Sequence, residues 1–349
     1  MRSYIKIKGR NLWKLCMLAV LGISLTCCYV LVEKIDQPTT AVAGQTITIN
    51  LRDSVNTQIS TNQSPYPQPS NFVLAFLAPK GWDVADNNNM TVSYTSSLGN
   101  GNMQLMPASA IEPNSKLTWA KAATAKFGIG KNLVNDVEWV VFQSSQQYAL
   151  TNGINITGNI IIKLKVGADG NNTYYFPEYV TCDSFDGYSD DTYWNNGKIY
   201  SQDNGPCLLQ TGTNGDLHDY CNPQLTSFNP PKSLDNEFIT LTYNNKLTPT
   251  VLSNTTNVYL CVDSAYLSDG SAITNYCVQA EKSNLVQTTP TSGLFNLTIW
   301  PRSYFGLTAS QTLTKLVYHI TDQTGTKRVG YGGVSGSSSP AFVYKFGCK

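Results

Sequence analysis

The sequence predicts an all-β protein: two immunoglobulin-like β-sandwich domains joined by a disulfide-rich connector. Three observations predict it. Only 13% of the 349 residues are charged while 41% are hydrophobic, so neutral Asn, Thr, Ser, Gly and Tyr must cover the surface, as in turn-rich β-proteins. Short stretches of alternating apolar and polar residues recur between Gly-, Pro- and Asn-containing turns. The length accommodates two domains of sandwich size.

The first element is an export signal over residues 1–28. Arg2, Lys6, Lys8, Arg10 and Lys14 precede an uncharged apolar run from Leu15 to Val32, and Glu33 is the first acidic residue; basic start and apolar core are the grammar of secretion. Within it, Leu25-Thr26-Cys27-Cys28 resembles a lipobox, with Cys28 as the residue to carry acyl chains such as palmitate and Cys27 as the alternative. An uncleaved span over Leu15–Val32 and an A-x-A cleavage site at Ala41-Val42-Ala43 are the competing readings. Without those five basic residues the remainder holds 19 basic against 23 acidic side chains. No cationic surface is left to neutralise phosphates, which excludes a nucleic-acid partner.

The first sandwich is placed at 35–182. Ala41–Leu51 alternates around β-branched Ile47, Thr48 and Ile49, and further strands are expected at Phe72–Leu77, Thr91–Tyr94, Val137–Phe142, Asn159–Val166 and Thr173–Cys182. The last two are read as a hairpin across the turn at 167–172. Lys116–Lys126 alone has helical character. From 183 to 234 the pattern dissolves into Asp, Asn, Gly, Ser and Pro with scattered aromatics, and this stretch is read as the connector. Alternation resumes at Glu237–Tyr243, Asn257–Asp263, Leu294–Trp300, Lys315–Thr321 and Ala341–Phe346, giving a second sandwich over 235–349.

Six cysteines lie beyond the signal: Cys182, Cys207, Cys221, Cys261, Cys277 and Cys348. An even set in an exported chain predicts disulfides. Short loops favour Cys207–Cys221 and Cys261–Cys277, with Cys348 stapling the C-terminus. A zinc site is the rival reading, but no C-x-x-C pair is present.

Three stretches carry a family resemblance: NFVLAFLAPKGWD (Asn71–Asp83), FGIGKNLVNDVEWVVFQS (Phe127–Ser144) and IWPRSYFGLTASQTLTKLVYHITDQTG (Ile299–Gly325). They resemble Bacteroidetes lipoproteins with an immunoglobulin-like N-terminal domain and a C-terminal β-domain, encoded beside starch-utilisation-type outer-membrane transporters. The resemblance spans Ile35 to Gly333. It implies a lipid-anchored outer-membrane protein, without catalytic activity, that assists polysaccharide uptake by binding a glycan. A structural or interaction subunit of an outer-membrane or adhesive complex, binding no sugar, is the alternative. Surface-exported lipoproteins of that phylum carry an acidic run after the lipidated Cys, whereas here Tyr29-Val30-Leu31-Val32-Glu33-Lys34 follows. Surface and periplasmic faces both stay open.

Sugars present apolar C–H faces ringed by hydroxyls, so binding sites pair exposed aromatics with Asp, Asn, Gln and Arg. Tyr188, Tyr193 and Trp194 beside Asp190 and Asp191 supply both in the connector, and Trp300, Arg302 and Tyr304 do so in the second domain. Asp183, Asp186, Asp190 and Asp191 could also ligate calcium, although the EF-hand spacing is missing; no cofactor is otherwise expected. The two imidazoles, His218 and His319, belong to no recognisable catalytic motif.

Overall fold

A computed structural model of the chain describes residues 29–56, 68–86, 89–133, 136–150, 155–190, 198–213 and 217–347. The fold is all-β. In the first module nine strands hydrogen-bond in the order Tyr29–Asp36, Thr46–Asn56, Asn155–Lys165, Met90–Ser96, Gly99–Leu105, Val137–Ser144, Phe72–Pro79, Glu178–Asp183 and Ser201–Asn204. The outermost strands meet again, the Val32 N–H donating to Ser201 Oγ at 2.9 Å, so the sheet curls over one core. Period-two alternation builds that core: Ile47, Ile49 and Leu51 are buried while Thr48, Asn50 and Arg52 between them are exposed.

Phe72–Pro79, Val137–Ser144 and Glu178–Asp183 depart from alternation because both their faces are covered. One face gives Leu74, Phe76, Val140 and Tyr179 to the interior. The other gives Val73, Ala75, Trp139, Val180 and Cys182 to an outer layer under helix α1 (Trp119–Phe127), Tyr188 and Tyr200. A strand buried twice reads as a continuous apolar run.

A second sheet, ordered Leu217–Asp219, Asn172–Tyr175, Leu208–Thr211 and Thr40–Val42, adds Ala41, Tyr175 and Leu208 to the same core. Trp82 is fully buried there and donates from Nε1 to Gln210 Oε1 at 3.2 Å.

Two expectations change. The stretch 183–234 is no free connector: Ser201–Asn204 extends the large sheet, and Leu208–Thr211 and Leu217–Asp219 make up half of the small one. The expected hairpin between Asn159–Val166 and Thr173–Cys182 does not form. Its second arm splits at Phe176-Pro177, so that Asn172–Tyr175 joins the small sheet and Glu178–Asp183 pairs with Phe72–Pro79; Pro lacks the N–H a continuous ladder needs.

In the second module Thr226–Asn229, Ile239–Asn244, Leu294–Ile299, Asn284–Gln287, Val258–Leu267, Leu313–Asp322 and Arg328–Val329 pair in that order, with Ala272–Cys277 and Phe342–Lys345 as branches. Leu241, Tyr243, Val262, Phe295 and Ile320 centre its core. The modules touch through paired backbone at Lys131–Leu133 and Gln224, and through the Tyr331 hydroxyl, which donates to the Asp219 carboxylate. No helix among the described residues is long and apolar enough to cross a membrane.

Candidate functional site

At one end of the second module, Ile239 pairs with Ile299 as the last rung of a ladder. The next residues outward are Phe238 and Trp300. Burial of Ile239 and Leu241 turns the side chains of alternate positions toward solvent, which leaves Phe238 69% and Trp300 44% exposed. Their ring centroids lie 6.3 Å apart with planes inclined at 36°. The two rings form one apolar shelf beside exposed Leu234. A groove of about 510 Å³ opens at its Phe238 end, lined by Pro230, Lys232, Ser233, Leu234, Glu237, Phe238 and Gly347.

The shelf is held from beneath. The turn before Phe238 closes with Glu237 N–H donating to the Leu234 carbonyl at 3.2 Å and Leu234 N–H donating to Glu237 Oε2 at 2.9 Å. Trp300 caps the short helix α2 (Pro301–Phe305), whose first position is Pro and whose end is Gly306 at φ +66°. Between turn and helix lies the buried Asp235. Its Oδ2 accepts from Arg302 at 3.1 Å and from Leu313 N–H at 2.9 Å, and its carbonyl accepts the Arg302 N–H at 3.3 Å. Arg302 also donates to the Gln311 and Thr308 carbonyls, at 2.9 and 2.6 Å. The guanidinium therefore fastens both ring-bearing segments to one carboxylate.

This corrects the sequence expectation for two neighbours of Trp300. Arg302 is engaged inward, its two terminal nitrogens bonded to Asp235 and to the Gln311 and Thr308 carbonyls. Tyr304 is buried against Tyr276 and Phe305, with its hydroxyl 2.8 Å from Ser283 Oγ; burial pushes its pKa up to about 12. Phe238 was missed, although Glu237–Tyr243 carries the signal: alternation places Phe238 on the same side as Thr240 and Thr242.

The connector candidates fare differently. Tyr193, Trp194 and Asp191 lie outside the described residues. Tyr188 is 3% exposed and packs edge-on against Trp119 and Phe127, so it is core, not platform. Asp190 pairs with Lys126 at 2.9 Å. Asp183 is buried and turns inward, its Oδ1 accepting from Phe185 N–H, Asp186 N–H and Ser70 Oγ at 2.8, 2.9 and 3.0 Å. Asp183, Asp186 and Asp190 do not gather their oxygens around one point, and the fourth carboxylate of the calcium expectation, Asp191, lies outside the described residues; among those described, the one trio close enough to share an ion is Cys261, Asp263 and Cys277. Two of that trio are joined in a disulfide.

Both short-loop disulfides form, Cys207–Cys221 and Cys261–Cys277. Cys182 is a buried free thiol, raised in pKa by burial and by nearby carboxylates, and Cys348 lies outside the described residues. His319 is closed off: Nε2 donates to the Ser339 carbonyl at 3.0 Å and Nδ1 faces Asp263 Oδ2 at 2.6 Å. His218 lies 3.9 Å from Asp136.

Among solved structures the chain is similar to the C-terminal domain of the Streptococcus pyogenes antigen I/II-family protein AspA, at 12% identity and TM-score 0.27, covering 93% of this chain and 100% of that one. It is also similar to the group B streptococcus pilus 2b backbone protein, at 10% identity and TM-score 0.22, covering 90% and 89%. A third is the B domain of a biofilm associated protein, at 11% identity and TM-score 0.24, covering 92% and 85%. No curated protein matches the chain. Residues 226–329 match the model described as Domain of unknown function (DUF8578). Residues 30–224 match the one described as Domain of unknown function (DUF4961), and the chain belongs to that family.

Proposed function

We propose that this is a non-catalytic, lipid-anchored cell-envelope protein that binds a glycan on the Phe238–Trp300 shelf, as an accessory to outer-membrane polysaccharide uptake. The exposed ring pair carries the reading. Two aromatic faces side by side offer the apolar C–H patch of a sugar ring a flat partner, and Glu237, Lys232 and Ser233 border the groove where hydroxyls would lie. The anchor rests on Leu25-Thr26-Cys27-Cys28, with Cys28 as the lipidated residue and Cys27 as the alternative. An uptake complex of the outer membrane is the partner implied by the family resemblance.

The test is affinity electrophoresis of residues 29–349 through a panel of host and dietary polysaccharides. Retardation by one class is the expected result, and Trp300→Ala should weaken it about tenfold, or ~1.4 kcal/mol. If no polysaccharide retards the folded protein, or if Trp300→Ala and Phe238→Ala leave retardation unchanged, the shelf is not a sugar site. Metabolic palmitate labelling tests the anchor separately; Cys28→Ala should abolish it.

A further inference from the structure

The large sheet of the first module begins one residue after Cys28. Tyr29, the first residue of Tyr29–Asp36, pairs with Asn56, and Asn56 pairs with Asn155. Successive Cα atoms lie about 3.8 Å apart, so acyl chains on Cys28 have no linker between them and this module. The end of the sheet that holds Tyr29 is thereby the end nearest a membrane. The turn Ser97-Leu98, which joins Met90–Ser96 to Gly99–Leu105, closes at this same end. Its Ser97 N–H donates at 2.9 Å to the carbonyl of Thr157, two residues along the strand from Asn155. Leu98 is exposed there, and so is Leu31, two residues past Tyr29.

The second module is attached at the opposite end. From Asn56 the strand Thr46–Asn56 runs back through 11 residues, about 36 Å at ~3.3 Å per residue, to Thr46, which pairs with Lys165. The turn after Lys165 reaches the Gly81 carbonyl through the Asp169 N–H at 3.1 Å, and beside it the Lys80 N–H donates to the Asp136 carbonyl at 2.8 Å. Asp136 lies three residues past Leu133, the end of the stretch that Gln224 pairs with. In the second module the direction continues. The Leu225 carbonyl accepts the Asn244 N–H at 2.9 Å at one end of Ile239–Asn244, and Phe238 and Trp300 stand past the other end of that strand. The anchor is thus on the side of the first module turned from the junction, and the shelf on the side of the second module turned from it.

We propose that the protein stands as a post on its membrane: the Ser97-Leu98 end of the first module rests against the lipid surface, and the aromatic shelf is carried at the tip farthest from it, where it meets an extended polysaccharide ahead of the bilayer. The proposal rests on the anchor and the shelf of the proposed function and adds the posture of that site. A lipid surface fits the lower end because the link through Cys28 holds it there, and a tether makes contacts as small as those of Leu98 and Leu31 effective through local concentration.

Fluorescence quenching on vesicles tests it. The chain from Cys28 onward, the form the anchor implies, is coupled through residue 28 to a maleimide lipid, with Cys348→Ser to keep the coupling at one thiol. Leu98→Trp and Phe238→Trp, both at exposed positions, each add a reporter at one end. A nitroxide on the lipid headgroups should remove most of the emission added by Leu98→Trp and none of that added by Phe238→Trp, which acrylamide in the water should quench on the same vesicles. Loss of the Phe238→Trp signal to the nitroxide, or a Leu98→Trp signal that the nitroxide leaves intact, would overturn the proposal. Because the attachment is chemical, the outcome is independent of palmitate labelling and of polysaccharide retardation, which judge the anchor and the sugar site by themselves.

Discussion

Trp300, Arg302 and Tyr304 sit within five residues yet do three different things: one ring faces solvent, one guanidinium ties two segments together, and one phenol fills the core. Composition marks all three as sugar-site material. Only the path of the chain, a strand end followed by a one-turn helix, separates them. Arg302→Ala would leave the Asp235 carboxylate buried without its guanidinium, and we expect a loss of about 2–4 kcal/mol in urea unfolding. Removing Trp300 should cost little stability because the ring is half exposed. Asp53 makes a pH prediction. Its folded carboxyl keeps a proton up to about 8 while the unfolded one releases it near the ordinary value of 3.8. Between those values the folded state binds more protons. Stability should therefore fall as pH rises through that window, by up to ~1.4 kcal/mol per pH unit. Urea unfolding across that range should show the slope, and Asp53→Asn should flatten it.

Every strand expected in the second module forms, down to the four-residue Phe342–Lys345, whereas Gly99–Leu105 and Ala272–Cys277, with few buried positions, and several strands of three or four residues carry no legible alternation. Ser201–Asn204, Leu208–Thr211 and Leu217–Asp219 are too short for a period to register, and what places them is a neighbouring strand rather than their own pattern. The segment 183–190 gives no periodic signal because local bonds shape it. Glu112, itself buried, accepts from the backbone N–H groups of Asn114, Ser115 and Tyr188 at 3.1, 2.6 and 3.0 Å. Burial alone would raise its pKa, but these bonds outweigh it and hold the carboxyl below its usual range. The stability it contributes is present at neutral pH and lost as pH falls through the lowered value. Gly187, at φ +60°, passes so close that an added Cβ would lie 2.3 Å from Glu112 Oε1. Gly187→Ala should destabilise by about 1–3 kcal/mol, read by thermal melting. Cys207–Cys221 closes a loop across the small sheet with a sequence separation of 14. Replacing both cysteines by Ser should lower stability by about 3 kcal/mol in urea unfolding.

Taken as one molecule, the chain changes module at 224–226, where one family match ends and the other begins. Sequence alone set a connector there because its turn-forming residues look alike whether they link modules or close a sheet. The junction is pinned rather than loose. Gln224 bonds both ways with Lys131 and Leu133, and Asp219 gathers the N–H groups of Cys221 and Asn222 together with the Tyr331 hydroxyl.

The meeting of the first and last strands of the nine-stranded sheet bears on how the protein behaves when crowded. An open sheet offers a row of unmatched N–H and C=O groups on which another molecule can add a strand, the usual seed of aggregation. Here Tyr29–Asp36 and Ser201–Asn204 face each other, with the Val32 N–H taken by Ser201 Oγ, so each end strand of the first module's sheet crowds the approach to the other's edge and narrows the room for a passing copy to add a strand.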